Sequence, residues 1–209
     1  MHRATRLLCT TFSLCSLASA DNAQLGLLVL PMPAGGLEYG VRYSGFTETS
    51  TEDAAFAVGV APFFDYLVTR SLSVGLQPQV TFNVRREDYP YTADAQPGTE
   101  FDLLVRLAGW LPASESLRLY GYLAPGYSIV RWPDQTTTSG RFPGDTSTSA
   151  DGASGPVLQI AGGIAFGRGI FGLVQVGSQL GFQSADVMGE SVALRTHYFQ
   201  LAGGLGARF

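Results

Sequence analysis

The sequence contains no lysine; all 13 of its basic residues are arginine. Charged residues make up 14% of the chain against 45% hydrophobic. So little charge with so much apolar content excludes a disordered polymer, and 209 residues suit one domain. Cysteine occurs only at Cys9 and Cys15, and histidine only at His2 and His197. After residue 20 there is no run of ~18 consecutive apolar residues, which excludes a membrane-spanning helix.

The cysteines belong to a segment that reads as a signal peptide. Arg3 and Arg6 give it a positive start, Leu7 to Leu17 a short, mostly apolar stretch, and Ala18-Ser19-Ala20 a small-residue cleavage site. Residues 1–20 are therefore expected to be removed, leaving 21–209 as the working domain. Cys9 and Cys15 each follow leucine, which argues against a lipid-anchored start. The mature chain then has no cysteine, which excludes disulfides and thiolate metal sites. It keeps 11 arginines against 17 acids. That balance disfavours nucleic acid as a partner.

What the chain does have is period-two alternation, the mark of a strand with two unlike faces. Leu72, Val74, Leu76, Pro78, Val80, Phe82 and Val84 share one face, opposite Ser73, Gly75, Gln77, Gln79, Thr81, Asn83 and Arg85. Pro78 predicts a bulge there. In 101–111, Phe101, Leu103, Val105, Leu107 and Leu111 oppose Asp102, Arg106 and Trp110. In 117–129, Leu117, Leu119, Leu123 and Ile129 oppose Arg118, Tyr120, Tyr122 and Ser128. In 172–183, Val174, Val176, Leu180 and Phe182 oppose Gln175, Gln179 and Gln183. At the end, Phe199, Leu201, Leu205, Ala207 and Phe209 oppose Tyr198, Gln200 and Arg208. Weaker strands read at 54–68 and 156–167. Gln24 to Leu30 and Gly36 to Gly45 flank Pro31, Pro33 and Gly35-Gly36; counted separately they give nine strands, and as one interrupted first strand they give eight.

Tight turns are predicted at Thr69-Arg70-Ser71, Pro112 to Ser116 and Gly167-Arg168-Gly169. Longer polar loops are predicted at 47–53, 87–99, 133–154 and 184–192. Short turns alternating with long loops describe a transmembrane barrel. A sheet in lipid must close, because each unpaired backbone group at an open edge costs several kcal/mol. The fold class expected is therefore all-β: an antiparallel up-and-down transmembrane β-barrel of eight strands. The side chains then fill the interior. Tyr66, Trp110, Trp132, Tyr198 and Phe209 fall near strand ends, where an interfacial aromatic girdle sits.

The stretch Phe199-Gln200-Leu201-Ala202-Gly203-Gly204-Leu205-Gly206-Ala207-Arg208-Phe209 resembles the terminal strand of bacterial outer-membrane proteins. Leu119-Tyr120-Gly121-Tyr122-Leu123-Ala124-Pro125-Gly126-Tyr127 and Gln179-Leu180-Gly181-Phe182-Gln183 are similar to the same group. The general likeness is to small eight-stranded barrels: the OmpA transmembrane domain, OmpX and the opacity-like surface proteins. It implies a bacterial outer-membrane location, with lipid and lipopolysaccharide around the barrel. It also implies that Phe199, Leu201, Leu205 and Phe209 form a signal read by the insertion machinery. The likeness bears on architecture, not activity.

The expected interior is a polar network of Asp65, Gln77, Gln79, Asp102, Arg106, Arg118, Tyr120, Tyr122, Gln175, Gln179, Gln200 and Arg208, extended by Gln159. Charges withdrawn from water need partners, and this set supplies them. The same residues would line the alternative, a narrow channel for small solutes. His197 falls on the face of Phe199 and Leu201. Outer-membrane lipid deacylases pair histidine with serine two residues on, and here that position is Phe199. One histidine and no cysteine exclude a transition-metal site. Gly162-Gly163 and Gly203-Gly204-Leu205-Gly206 lie within strands, with no helix following, so they are no phosphate loop. Ser128 lacks the second glycine of a nucleophile elbow. Acids Glu48, Glu52, Asp53, Glu87, Asp88, Asp94, Glu100, Asp134, Asp145, Asp151, Asp186 and Glu190 are read in or beside the outer loops, solvated or bridged to lipopolysaccharide by divalent cations. The functional expectation is a monomeric, non-enzymatic surface barrel without cofactor. It would anchor loops for envelope integrity or recognition. A lipid-acting enzyme and a soluble lipocalin-like binder complete the alternatives.

Overall fold

The computed structural model describes residues 22–43, 46–53, 56–84, 98–131, 152–187 and 190–209. The expected signal peptide and Trp132 lie outside them. Ten strand segments follow one another: β1 (Ala23–Met32), β2 (Ala34–Tyr43), β3 (Phe46–Asp53), β4 (Ala57–Leu67), β5 (Leu72–Val84), β6 (Gly98–Pro112), β7 (Leu117–Arg131), β8 (Gly152–Gly167), β9 (Ile170–Val187) and β10 (Glu190–Arg208). All pairings are antiparallel, and β1 pairs with β10 to close the sheet.

Ten segments make eight staves. β10 pairs first with β1, up to Val29↔Gly203, and then with β2, from Ala34↔Phe199. Residues 30–33 thus stand opposite residues 200–202, one residue in excess. This is a β-bulge in a single long first strand. It sits where Pro31 and Pro33 deprive the ladder of donors. On the other side, β1–β4 and β2–β3 keep a common register, Met32↔Ala57 and Gly36↔Asp53. β3 and β4 are therefore also one stave.

The bulge predicted at Pro78 is absent. The β4–β5 register runs from Val60↔Val80 to Phe64↔Leu76 without an offset. That register sets Pro78 opposite Pro62. Two residues lacking N–H share one gap in the ladder, so no shift is needed. The register change in β5 instead falls between Phe82 and Val84.

The short turns fall at one end of the cylinder. The Thr69 hydroxyl accepts from the N–H groups of Ser71 and Leu72, and the Ser114 hydroxyl from those of Ser116 and Leu117. These local bonds are what make Ser and Thr turn formers. Gly167 has φ of 117°, which an L side chain rarely tolerates. At the other end, two expected loops are corrected. Residues 47–53 lie in β3, and 184–187 and 190–192 lie in β9 and β10. The Thr- and Ser-rich run 46–53 looked like a loop because both faces are polar. Threonine pairs well in strands. Of the acids read in or beside loops, Glu48, Glu52, Asp53, Asp186 and Glu190 are strand residues, while Glu87, Asp88, Asp94, Asp134, Asp145 and Asp151 lie outside the described residues.

Leu, Val, Ile and Phe side chains cover the exterior, among them Leu25, Leu27, Leu76, Leu103, Leu107, Ile164, Val174, Leu201 and Leu205, exposed by 41% to 67%. Such a surface is that of a barrel that spans lipid. It overturns the soluble lipocalin-like alternative, which requires these residues inside. Inside are Gln, Asp, Glu, Arg, Tyr, Ala and a few large apolar side chains.

Candidate functional site: the packed lumen

Alternate residues of each stave point inward, so the lumen is read in layers from the turn end. Nearest that end, Trp110 on β6 stacks on Tyr120 of the neighbouring β7, with ring centroids 4.9 Å apart. Its indole N–H donates to the Ser73 hydroxyl at 3.0 Å. The Arg118 guanidinium lies 5.2 Å from the Trp110 ring and 5.1 Å from Phe171. Arg118 and Arg208, with Glu115, Arg168 and Phe209, line an open mouth of about 370 Å³. Arg208 is therefore a mouth residue and stands apart from the central network. Trp110 and Tyr198, expected in the girdle, are buried inside. Their strand parity outweighs their position near a strand end. Tyr66 and Phe209 do face outward.

The next layer is built on a missing side chain. Arg106 on β6 faces Gly75 on β5, and Gly75 faces Asp65 on β4. A Cβ on Gly75 would stand 2.2 Å from Asp65 Oδ1. Its absence lets Arg106 reach across a whole strand to Asp65, with Nε 3.3 Å from Oδ1. The guanidinium is held between the Phe63 and Tyr122 rings, 4.4 and 4.2 Å from their centroids, and donates to Gln77 Oε1 at 3.0 Å. Arg106 is 1% exposed and Asp65 fully buried, so each depends on the other for neutralisation. Tyr120 donates to Gln175 Oε1 at 2.8 Å, and Gln175 Nε2 donates to the Tyr122 hydroxyl at 2.9 Å.

Above this layer, glutamines bridge the barrel. Gln77 on β5 donates to Gln159 on β8 at 2.7 Å, and Gln79 on β5 to Gln179 on β9 at 2.9 Å. Gln159 bonds Gln200, which donates to Gln179 at 2.8 Å. β5 is not a sheet neighbour of β8 or β9, so these bonds cross the lumen.

The layer farthest from the turns holds two carboxylates. Asp102 Oδ2 accepts from Gln79 and Gln179 at 3.2 and 3.1 Å. Glu100 Oε1 accepts from the Ser128 hydroxyl at 2.7 Å and from Gln183 at 3.0 Å. Glu100 was read beside an outer loop; it is fully buried in the lumen. Its parity with Asp102 and Arg106, not used in that reading, is the signal that could have placed it there.

Outside, the structure brings together a pair that spacing along the chain conceals. Ser178 Oγ and His197 Nε2 are 2.9 Å apart on the exterior of β9 and β10. The serine that meets this histidine comes from the adjacent stave, not from two residues on. Phe199, Leu201, Leu205 and Phe209, the expected insertion signal, all face outward. The backbone of Phe209 exchanges hydrogen bonds with Ala23 and seals the first stave to the last.

Fold and interior together define a closed, filled, eight-stave antiparallel barrel with an apolar exterior. No protein-family model matches the sequence, and no curated protein matches it. Among solved structures, the chain is similar to Neisserial surface protein A (NspA), with a TM-score of 0.48 at 10% identity over 88% of this chain and 97% of that one. It is similar to the outer membrane protein OprG from Pseudomonas aeruginosa, with a TM-score of 0.47 at 13% identity over 90% and 98%. It is also similar to the outer membrane protein AlkL in lipid bilayers, with a TM-score of 0.47 at 14% identity over 90% and 92%.

Proposed function

We propose that the chain is a non-enzymatic outer-membrane barrel, a plugged cylinder that acts as a monomer and carries its outer ends for envelope integrity or recognition. The observation that carries this reading is the set of glutamine bonds across the lumen, from β5 to β8 and β9. A water path must break them, exchanging each for bonds to water at a net cost of roughly 0.5–1.5 kcal/mol. In a planar lipid bilayer at high protein load, wild type should give no discrete conductance. Replacing Gln77, Gln79 and Gln159 together by alanine should open one. Steady ohmic steps from wild type would favour the narrow channel instead.

The Ser178–His197 pair is the feature closest to catalysis. Acyl transfer also needs donors for the oxyanion. β9 and β10 pair without interruption from Glu190↔Val187 to Ala207↔Ile170, which commits the N–H groups that point between these two strands to the ladder. The pair reads as a polar contact on the lipid-facing side. A fluorophosphonate serine probe should leave the protein unlabelled. Labelling that disappears in Ser178→Ala would overturn the non-enzymatic reading.

A further inference from the structure

The mouth at the turn end carries more positive charge than it neutralises. Arg118, Arg168 and Arg208 line it against a single acidic side chain, Glu115. Glu115 is spent on Arg168 in an ion pair at the rim. Arg118 and Arg208 take part in no ion pair among the described residues. They are close enough for their like charges to act on each other. The main-chain oxygen of Phe209, at the same rim, is taken by the Ala23 N–H at 3.2 Å.

Both arginines are positioned by contacts that leave their in-plane donors unused. The Arg118 guanidinium lies against the Trp110 and Phe171 rings, and its Nη2 has no hydrogen-bond partner. Ring contact engages the face of a guanidinium, while its N–H donors lie in the plane. Arg208 is fixed through its main chain, whose N–H donates to Gly169 O at 2.8 Å and ties β10 to the β8–β9 turn. Of the staves between the two arginines, β8 ends inward in the small residues Ala165 and Gly167. At Gly169 a Cβ would meet nothing within 4 Å. The space so left is the cavity of about 370 Å³. Just inside it, Gln24 stands opposite Arg208 in the β1–β10 register. Residues opposed in an antiparallel pair share a face. Gln24 is fully buried, and both ends of its amide lack a hydrogen-bond partner.

We propose that this mouth binds one phosphate group, held by Arg118 and Arg208, with the unpartnered Gln24 amide beside Arg208 as a further donor. Two guanidinium forks match phosphate oxygens in geometry, and two charges match a dianion. A lone carboxylate would neutralise only one of them. At ~30 Å³ per water the cavity holds roughly a dozen waters, room for a phosphate and a small organic group attached to it. Outer-membrane barrels turn their short turns to the periplasm. The phosphate therefore belongs either to a soluble ester on that side or to a phospholipid headgroup beside the rim.

The test uses the full protein in non-ionic detergent and phosphate-free buffer. Equilibrium dialysis with radiolabelled inorganic phosphate, at an ionic strength fixed with sodium chloride, should find one ion per wild-type chain. Arg208→Gln and Arg118→Lys should each weaken binding about tenfold or more, the worth of one charge-assisted hydrogen bond. The second keeps the charge and loses the fork. Arg195→Gln, outside the barrel, should leave binding unchanged. Glu115→Gln should tighten it, because it frees Arg168; this exposed position covers the case in which an arginine variant fails to fold. Competition separates the two sources. Displacement of the label by glycerol 3-phosphate alone would assign the site to a soluble ester, and displacement by short-chain phosphatidic acid in the micelle to a lipid headgroup. Wild type that holds no phosphate would overturn the proposal. So would binding kept in full when Arg118→Lys and Arg208→Gln are combined.

Discussion

Arg106 shows how one position can depend on residues in three staves. It pairs with Asp65 only because Gly75, between them, has no side chain. Arg106→Ala should destabilise the barrel by about 3–5 kcal/mol, since it strands a buried carboxylate. Measured as unfolding in urea with the protein in micelles, Arg106→Met with Asp65→Leu should recover most of that loss, because it removes both charges. Gly75→Ala should shift the midpoint in the same direction as Arg106→Ala, as a Cβ there would stand 2.1 Å from Phe64 O. That Asp65, Gln77, Gln79, Asp102, Arg106, Tyr120, Tyr122, Gln175, Gln179 and Gln200 share the face opposite the aliphatic one was legible from alternation, because parity fixes the face; that this face points inward rested on loop asymmetry and aromatic placement. Which of them touch was not legible. Contacts such as Gln77 to Gln159 depend on barrel closure, which no local pattern encodes. Ser178 and His197 were hidden for the same reason, being neighbours through register rather than spacing.

At the scale of the element, turn chemistry was easy to read and strand ends were not. Thr69, Ser114 and Gly167 announce their turns through side chains that satisfy or permit particular backbone geometry. Gly167→Ala should cost more than the roughly 1–2 kcal/mol of a positive φ, because a Cβ there would also stand 2.4 Å from Ile170 O. Gly169→Ala should be close to neutral, since nothing lies within 4 Å of its would-be Cβ. Comparing the two midpoints separates backbone strain from a general effect of the turn. The outer ends of β3, β9 and β10 were misread as loops because polarity was equated with irregular structure. Alternation ceases to report a strand where the sequence has no apolar residues to alternate with polar ones. The interrupted first stave was legible in outline, through Pro31 and Pro33. Its single extra residue appears only when both sets of β10 pairings are compared.

The whole molecule presents its apolar side chains outward and its polar ones inward, the reverse of a water-soluble protein. Residues 21–209 should therefore fold from urea only when micelles or vesicles are present. The folded form should then show a β-rich circular dichroism spectrum and a mobility on semi-native gels that changes on boiling. Cooperative folding in plain buffer would contradict the apolar exterior. The fold class was legible in the sequence because one rule, alternation, governs every stave. The pairing of Glu100 with Gln183 was not, because the two meet only across the closed barrel.

The seam where Phe209 meets Ala23 makes the cylinder indifferent to where its polypeptide starts. The two ends lie at the turn end and already exchange hydrogen bonds. A short loop joining residue 209 to residue 23, with new termini cut at Arg168-Gly169, would circularly permute the chain and keep every stave beside its present neighbours. Such a permutant would still close. It would end on β8, a strand that finishes in Ala165, Phe166 and Gly167. It would thus separate closing the ring, which the Phe209–Ala23 hydrogen bonds do here, from carrying an aromatic side chain at the end of β10.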